Sequence, residues 1–278
     1  MLALKDILSI LNAIAPFEIA EDWDNCGLQV GNVNWGVKKI MIGLDVSMPL
    51  MTAAKDWNAD LVITHHPLMI MPEKKIDFAQ LPGQIIEMAA KHQINIVSVH
   101  TNLDKAHDGL NDYFASKIGM VDAQPFLTEK PLCSTAVPMA GTGMGITGMG
   151  RIGLLEEQIS LGEFARKIKK HLNLKHLRLT GDKDLLIRTA VVCTGSGASL
   201  LDAFFASDAQ VFITGDMKYH DARRVEEHFR GLIDVGHFAS EHMAIDLLSE
   251  KLNAAFQSTG IEIQILKFKK ETDPFTIV

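Results

Sequence analysis

Ala59-Asp60-Leu61-Val62-Ile63-Thr64-His65-His66-Pro67 is the stretch whose reading decides the fold. Leu61 to Thr64 is a short apolar and β-branched run with no polar face, which predicts a strand buried on both sides of a parallel sheet. The two imidazoles that end it fall where α/β sheets gather ligands and catalytic groups. Before this stretch, a strand-like run at Lys39 to Leu44 leads through Asp45-Val46-Ser47 to a helical pattern over Leu50 to Trp57. After it come a further helix, the strand-like run Ile94 to Val99, and His100. The same order recurs downstream: Ile187 to Cys193, the turn Gly195-Ser196-Gly197, a helix over Leu200 to Ala206, the run Asp208 to Asp216, another helix, and Leu232 to Gly236 before His237. The expected architecture is α/β, with two similar lobes related by a pseudo-twofold, mostly parallel sheets covered by helices, and a metal site in the cleft between them. The lobes are expected at residues 1–125 and 126–278. Laid over one another, the halves align His100 with His237 and Asp104 with Glu241, and set His65-His66 against Gly215-Asp216.

The histidines carry the chemistry. With 11 His in 278 residues, an adjacent pair is expected roughly 0.4 times by chance, and a histidine with an acid at +4 roughly 1.3 times. The chain has one adjacent pair and three such spacings, His100/Asp104, His237/Glu241 and His242/Asp246, so placement and not spacing gives the signal. The first two follow strand-like runs; His242/Asp246 lies in an apolar-periodic helix and reads as a surface pair. His65, His66, Asp104, His237 and Glu241 therefore form a candidate set for two divalent metals. Imidazole with carboxylate suits zinc, iron, manganese, nickel or cobalt, whereas calcium or magnesium would call for mostly oxygen ligands. Glu241 is the preferred bridge and catalytic carboxylate, His66 with Asp104 serving one ion and His65 with His237 the other. Asp24, Asn25, Asp45, His100, Asn102 and His220 are candidates for orienting these ligands.

Composition bounds the function. The length fits one large or two modest cores, and hydrophobic content of 47% with 22% charged residues is that of a globular protein. No segment reaches the roughly 18 uninterrupted apolar residues of a membrane span. Leu4, Ile7, Leu8, Leu11 and Ile14 fall at helical spacing, so the apolar start predicts an amphipathic helix instead of a signal peptide. Cys26, Cys133 and Cys193 lack metal-like spacing and fit buried thiols in a reducing cytoplasm. A net charge of −7 gives no basic field for nucleic acid, and Lys267, Lys269 and Lys270 are the basic run that stands out. Any phosphate recognition is expected to be local, with Arg151, Lys218, Arg223 and Arg224 as candidates. Gln124 to Arg151, rich in Gly and Pro, reads as a linker. Its Gly143-Met144-Gly145-Ile146-Thr147-Gly148 opens no helix and fails the context of a dinucleotide fingerprint. Gly195-Ser196-Gly197 joins strand to helix and reads either as a tight turn or as an anion cradle.

Six segments, EDWDNCGLQVG (21–31), ITHHP (63–67), HTNLDKAHDGLND (100–112), GRIGLL (150–155), ITGDMKYH (213–220) and GHFASEH (236–242), run in order along the chain. In them the chain resembles the GTP cyclohydrolase I type 2 family, the Nif-three-like dinuclear metal proteins. The resemblance implies a two-lobed α/β protein in the short form without an inserted middle domain, assembled as a toroidal homohexamer. It implies the same five metal ligands and a metal-dependent hydrolase acting on GTP or a related nucleotide, with formate leaving. A metal-binding regulatory or partner-docking protein without turnover, and a hydrolase releasing phosphate, stay open as alternatives. The general acid and base are not evident in the sequence.

Overall fold

The computed structural model describes residues 2–128, 147–260 and 262–277. In chain order the first part contains β1 (Leu2–Ala3), α1 (Leu4–Ile14), β2 (Gly27–Val30), β3 (Gly36–Val37), β4 (Lys39–Gly43), α2 (Met48–Trp57), β5 (Leu61–Thr64), α3 (Gly83–His92), β6 (Asn95–Ser98) and α4 (Thr101–Lys105). Then come α5 (Leu110–Lys117), β7 (Met120–Thr128), β8 (Gly148–Ser160), α6 (Leu161–His171), β9 (Arg178–Thr180), β10 (Leu186–Ser196), α7 (Leu201–Ala206), β11 (Val211–Gly215), α8 (Tyr219–Glu227), β12 (Gly231–Asp234) and α9 (His237–Glu241). The chain closes with α10 (Ala244–Thr259) and β13 (Gln264–Lys267).

Two compact units result. The first comprises Met1–Ala106 with Ala244–Thr272, the second His107–Met243 with Asp273–Val278. This partition differs from the expected division at residue 125, for two reasons. β13 pairs in parallel with β4, and so draws the chain's last helix back onto the first sheet. Meanwhile α5 packs on β7, β8 and β10 and takes its residues into the second unit.

The first sheet has the order β13-β4-β5-β6-β2, parallel except for the edge strand β2. Its central strands β5 and β6 are buried at every position, as a sheet covered by helices on both faces demands. Helix α2 begins two residues before the apolar periodicity because the Ser47 hydroxyl caps the Leu50 N-H (3.3 Å). Asn58, in the left-handed region at φ 55°, ends it. Leu4, Ile7 and Leu11 of α1 are buried as their spacing predicted. The Glu271 carboxylate accepts from the Leu44 N-H (2.9 Å) and the Asp45 N-H (3.0 Å), fixing the turn that follows β4.

The second sheet, β7-β8-β10-β11-β12-β9, is mixed: its centre β10-β11-β12 is parallel and its flanks are antiparallel. Residues Gln124–Thr128 and Gly148–Arg151, expected in a linker, belong instead to the paired strands β7 and β8. Glycine and proline content misled there, because the alternation of a strand edge is weak. The remainder of that stretch, including Gly143 to Ile146 and Cys133, lies outside the described residues.

Each unit thus repeats one strand-helix-strand-helix-strand-helix order, and backbone register fixes how the copies correspond. Thr64 pairs with Ser98 in the first sheet and Thr214 with Asp234 in the second. Beyond them, Val99 N-H donates to Thr64 O and Val235 N-H to Thr214 O, both at 2.9 Å. His100 therefore corresponds to Gly236, the residue before α9, and His237 to Thr101. Likewise Glu241 corresponds to Lys105. The alignment of His100 with His237 by eye is one residue out of register, so the two units' histidines are not repeat equivalents.

Candidate metal centre

All the candidate ligands sit beyond the carboxyl ends of parallel strands. In the first unit, His65 and His66 follow β5, and Asp104 lies on α4, the short helix after β6. His65 is fully buried, and its Nε2 lies 3.9 Å from Asp104 Oδ1. His100 joins this corner: its ring centroid is 5.2 Å from that of His65 and 5.5 Å from that of His66. His65, His66 and His100 each present a ligand atom within 4.8 Å of one another. In the second unit, His237 and Glu241 lie one turn apart on α9, with Nε2 2.8 Å from Oε2.

The nitrogens left for a metal follow from the bonds the other nitrogens make. His65 Nδ1 donates to the Val99 carbonyl (2.8 Å), which fixes the proton on Nδ1 and leaves Nε2 a lone pair. His66 Nδ1 donates to Asp45 Oδ1 (2.7 Å), His100 Nδ1 to Asp24 Oδ1 (2.8 Å) and His237 Nδ1 to Asp216 Oδ2 (2.9 Å). Each of the four rings is thereby oriented through Nδ1, the arrangement that orients and strengthens histidines able to bind a metal, and His237 Nε2 faces Glu241 Oε2. Each unit also offers a carboxylate, Asp104 in the first and Glu241 in the second, and imidazole with carboxylate is the donor chemistry that fits a divalent transition metal.

Sequence reasoning found Asp24 and Asp45 as supports but missed Asp216, although the repeat set it against His66. His100 was expected only as a support, yet its ring stands beside His65 and His66. Asp24 has a further task. Burial opposes its charge, but hydrogen bonds from His100, Cys26 and Thr101 outweigh that and hold its carboxyl far below the usual carboxylate range. The Cys26 thiol, 3.0 Å from Asp24 Oδ2, is pushed up to about 12 by burial and by that carboxylate, to which it donates. Asn102 Nδ2 donates to Ala15 O (2.8 Å) and Asn25 Nδ2 to Met69 O (2.6 Å); both brace loops.

Other expectations fail on geometry. His242 stacks on Phe238 (ring centroids 4.6 Å apart), while Asp246 pairs with Lys267 at 2.7 Å, so these two are not a surface pair. Arg151 is 1% exposed and forked on Asp112 (Nε–Oδ1 2.6 Å, Nη2–Oδ2 2.7 Å), with Nη1 donating to Gly148 O and Gly150 O. It is a structural cation and no phosphate ligand. Arg223 pairs with Glu226 and Arg224 with Asp202. The Gly195 and Gly197 amides donate to Ser240 Oγ and Thr214 Oγ1, both at 2.9 Å, so the turn is no anion cradle.

The glycine at 195 serves Glu241 instead. Its φ is +63°, and a methyl group there would overlap the Glu241 carboxylate. Only glycine lets β10 end so close to that side chain.

The family model Duf34/NIF3 (NGG1p interacting factor 3) matches residues 2–274. The chain belongs to this family. A Clostridium acetobutylicum relative named GTP cyclohydrolase 1 type 2 homolog is 33% identical over 274 residues, covering 99% of this chain and 98% of the relative. A Helicobacter pylori protein named GTP cyclohydrolase 1 type 2 is 33% identical over 256 residues, 91% of this chain and 93% of that protein. Among solved structures, a Staphylococcus aureus protein superposes with a TM-score of 0.88 at 26% identity, covering 100% of this chain and 99% of the other. The Duf34/NIF3 assignment agrees with the resemblance read from the six segments. No described helix is long and apolar enough to cross a membrane.

Proposed function

We propose that His65, His66 and Asp104 of the first unit and His237 and Glu241 of the second together hold two divalent ions, and that the centre hydrolyses a nucleotide, GTP foremost. The observation that supports this reading is the shared hydrogen-bond geometry of the imidazoles: each meets a carbonyl or carboxylate oxygen through Nδ1, which turns Nε2 to the other side of the ring. The printed names of the Clostridium and Helicobacter relatives support the nucleotide substrate. Two such ions would lower the pKa of a bound water towards ~7 and so supply a nucleophile at neutral pH.

The chain's own residues have distinct tasks in this reading. Val99 O, Asp45 and Asp216 keep the rings in the ligating tautomer. Asp104 and Glu241 would supply the negative charge that two dications need, with Glu241 as the carboxylate of the longer side chain. The cytoplasmic setting and the toroidal hexamer implied by the resemblance belong to the same proposal.

The test is formate release from GTP by the metal-loaded full chain. Glu241→Gln is expected to lower the rate by at least about ten- to hundredfold. Turnover as fast as wild type would remove Glu241 from the mechanism. Metal-loaded protein that leaves every nucleotide intact would favour the regulatory alternative, and phosphate in place of formate would favour a phosphoesterase.

A further inference from the structure

Tryptophan is highly buried on average, and Trp35 and Trp57 are at least partly covered here. Trp23 is 58% exposed. Its surroundings are not those of a loose surface loop. Asp24 N-H donates to Glu21 O (2.9 Å), closing a turn with Trp23 inside it. The Glu21 N-H donates to Thr101 Oγ1 (2.9 Å), and the Asp24 carboxylate accepts from the Thr101 N-H (3.0 Å), the Thr101 hydroxyl and His100 Nδ1. On the far side of the turn, Asn25 ties the same loop to Met69. An apolar ring is therefore held towards solvent by a backbone pinned at both ends. Its centroid is 6.0 Å from that of His100, at an interplanar angle of 77°.

We propose that Trp23 is a stacking platform for a planar heteroaromatic ring of the substrate, presented beside the His100 imidazole, whose own ring neighbours those of His65 and His66. The inference rests on reading that corner as the reaction site and adds to it the residue that holds the substrate's ring. A rigidly mounted indole offers a large π-face that loses little conformational freedom on binding, and every nucleobase has a face to lay against it. Phe275, 78% exposed, serves as the comparison for exposure alone. Trp23 lies on the segment whose Asp24 orients His100, so ring recognition and ligand geometry share one turn.

The probes are GMP, AMP and ribose 5-phosphate, titrated by calorimetry against the full chain, Trp23→Ala, Trp23→Phe and, as a control, Phe275→Ala. Wild type should bind both purine nucleotides at least about tenfold tighter than the ribose phosphate, and Trp23→Ala should lose about ten- to hundredfold for the purines alone. Trp23→Phe should recover most of that loss, and Phe275→Ala should change nothing. A wild type indifferent to the ring, an unaffected Trp23→Ala, or a Trp23→Phe that fails to rescue would overturn the inference. Metal content measured on the same samples separates this failure from that of the metal reading: a metal-loaded wild type without ring preference sinks only the stacking role.

Discussion

Asp112→Ala is expected to destabilise the second unit by about 3 kcal/mol, read as a lower midpoint in urea unfolding at unchanged slope. The reason is Arg151. Its charged guanidinium is almost wholly removed from solvent, and the Asp112 carboxylate is forked on it. Truncating the carboxylate leaves that charge buried, and its desolvation cost is then uncompensated. The lower end of the usual range applies because about a quarter of the Asp112 side chain reaches water (25%). The double variant Arg151→Met with Asp112→Leu should recover most of the loss, since no stranded charge remains. A loss below about 1 kcal/mol for Asp112→Ala would mean that solvent reaches Arg151.

The second large effect is expected at Gly195. Alanine there meets two penalties: the left-handed backbone at φ +63°, worth about 1 kcal/mol, and overlap of the new methyl with Glu241. Glu241 is 3% exposed and has little room to retreat, so its carboxylate must rotate away from His237. Zinc affinity should fall by at least about tenfold, as it does when a ligand loses its orientation. Gly236→Ala provides the contrast. Gly236 also has a positive φ, +89°, but a methyl there meets nothing within 4 Å. With ψ at 153° its backbone is open essentially to glycine alone, so alanine there should cost at least as much stability, yet it should weaken zinc binding less than Gly195→Ala because no methyl meets Glu241. Equal loss in both variants would show that backbone strain, and not the position of Glu241, governs the effect.

The differences between sequence and structure have physical causes. Strands β4, β5 and β6 were legible because burial on both faces leaves a short apolar, β-branched centre, and the histidines were legible because they stand at or just beyond the ends of such strands. Arg151 was misjudged because a guanidinium reads the same in sequence whether it meets a phosphate or, as here, Asp112 from 39 positions away. The repeat was visible, but its register was not: two strands of similar composition slide by one residue without changing their pattern, and only the Thr64 and Thr214 carbonyls pin them. Nor does any local signal announce that β13 adds beside β4, or that Glu271 reaches back to cap Leu44 and Asp45. Such contacts depend on tertiary closure alone. Asp216 differs, because its place opposite His66 in the repeat was a usable signal, and the carboxylate does hold a histidine.

The most direct measurement is the metal content of the full chain purified without chelators, by elemental analysis and native mass spectrometry, alongside the double variant His65→Ala, Glu241→Gln. Two ions drawn from zinc, iron, manganese, nickel or cobalt are expected per wild-type chain, with most of that content gone from a double variant that keeps its far-ultraviolet circular dichroism. A folded wild type that carries no divalent metal after loading, or a double variant that retains both ions, would contradict the account.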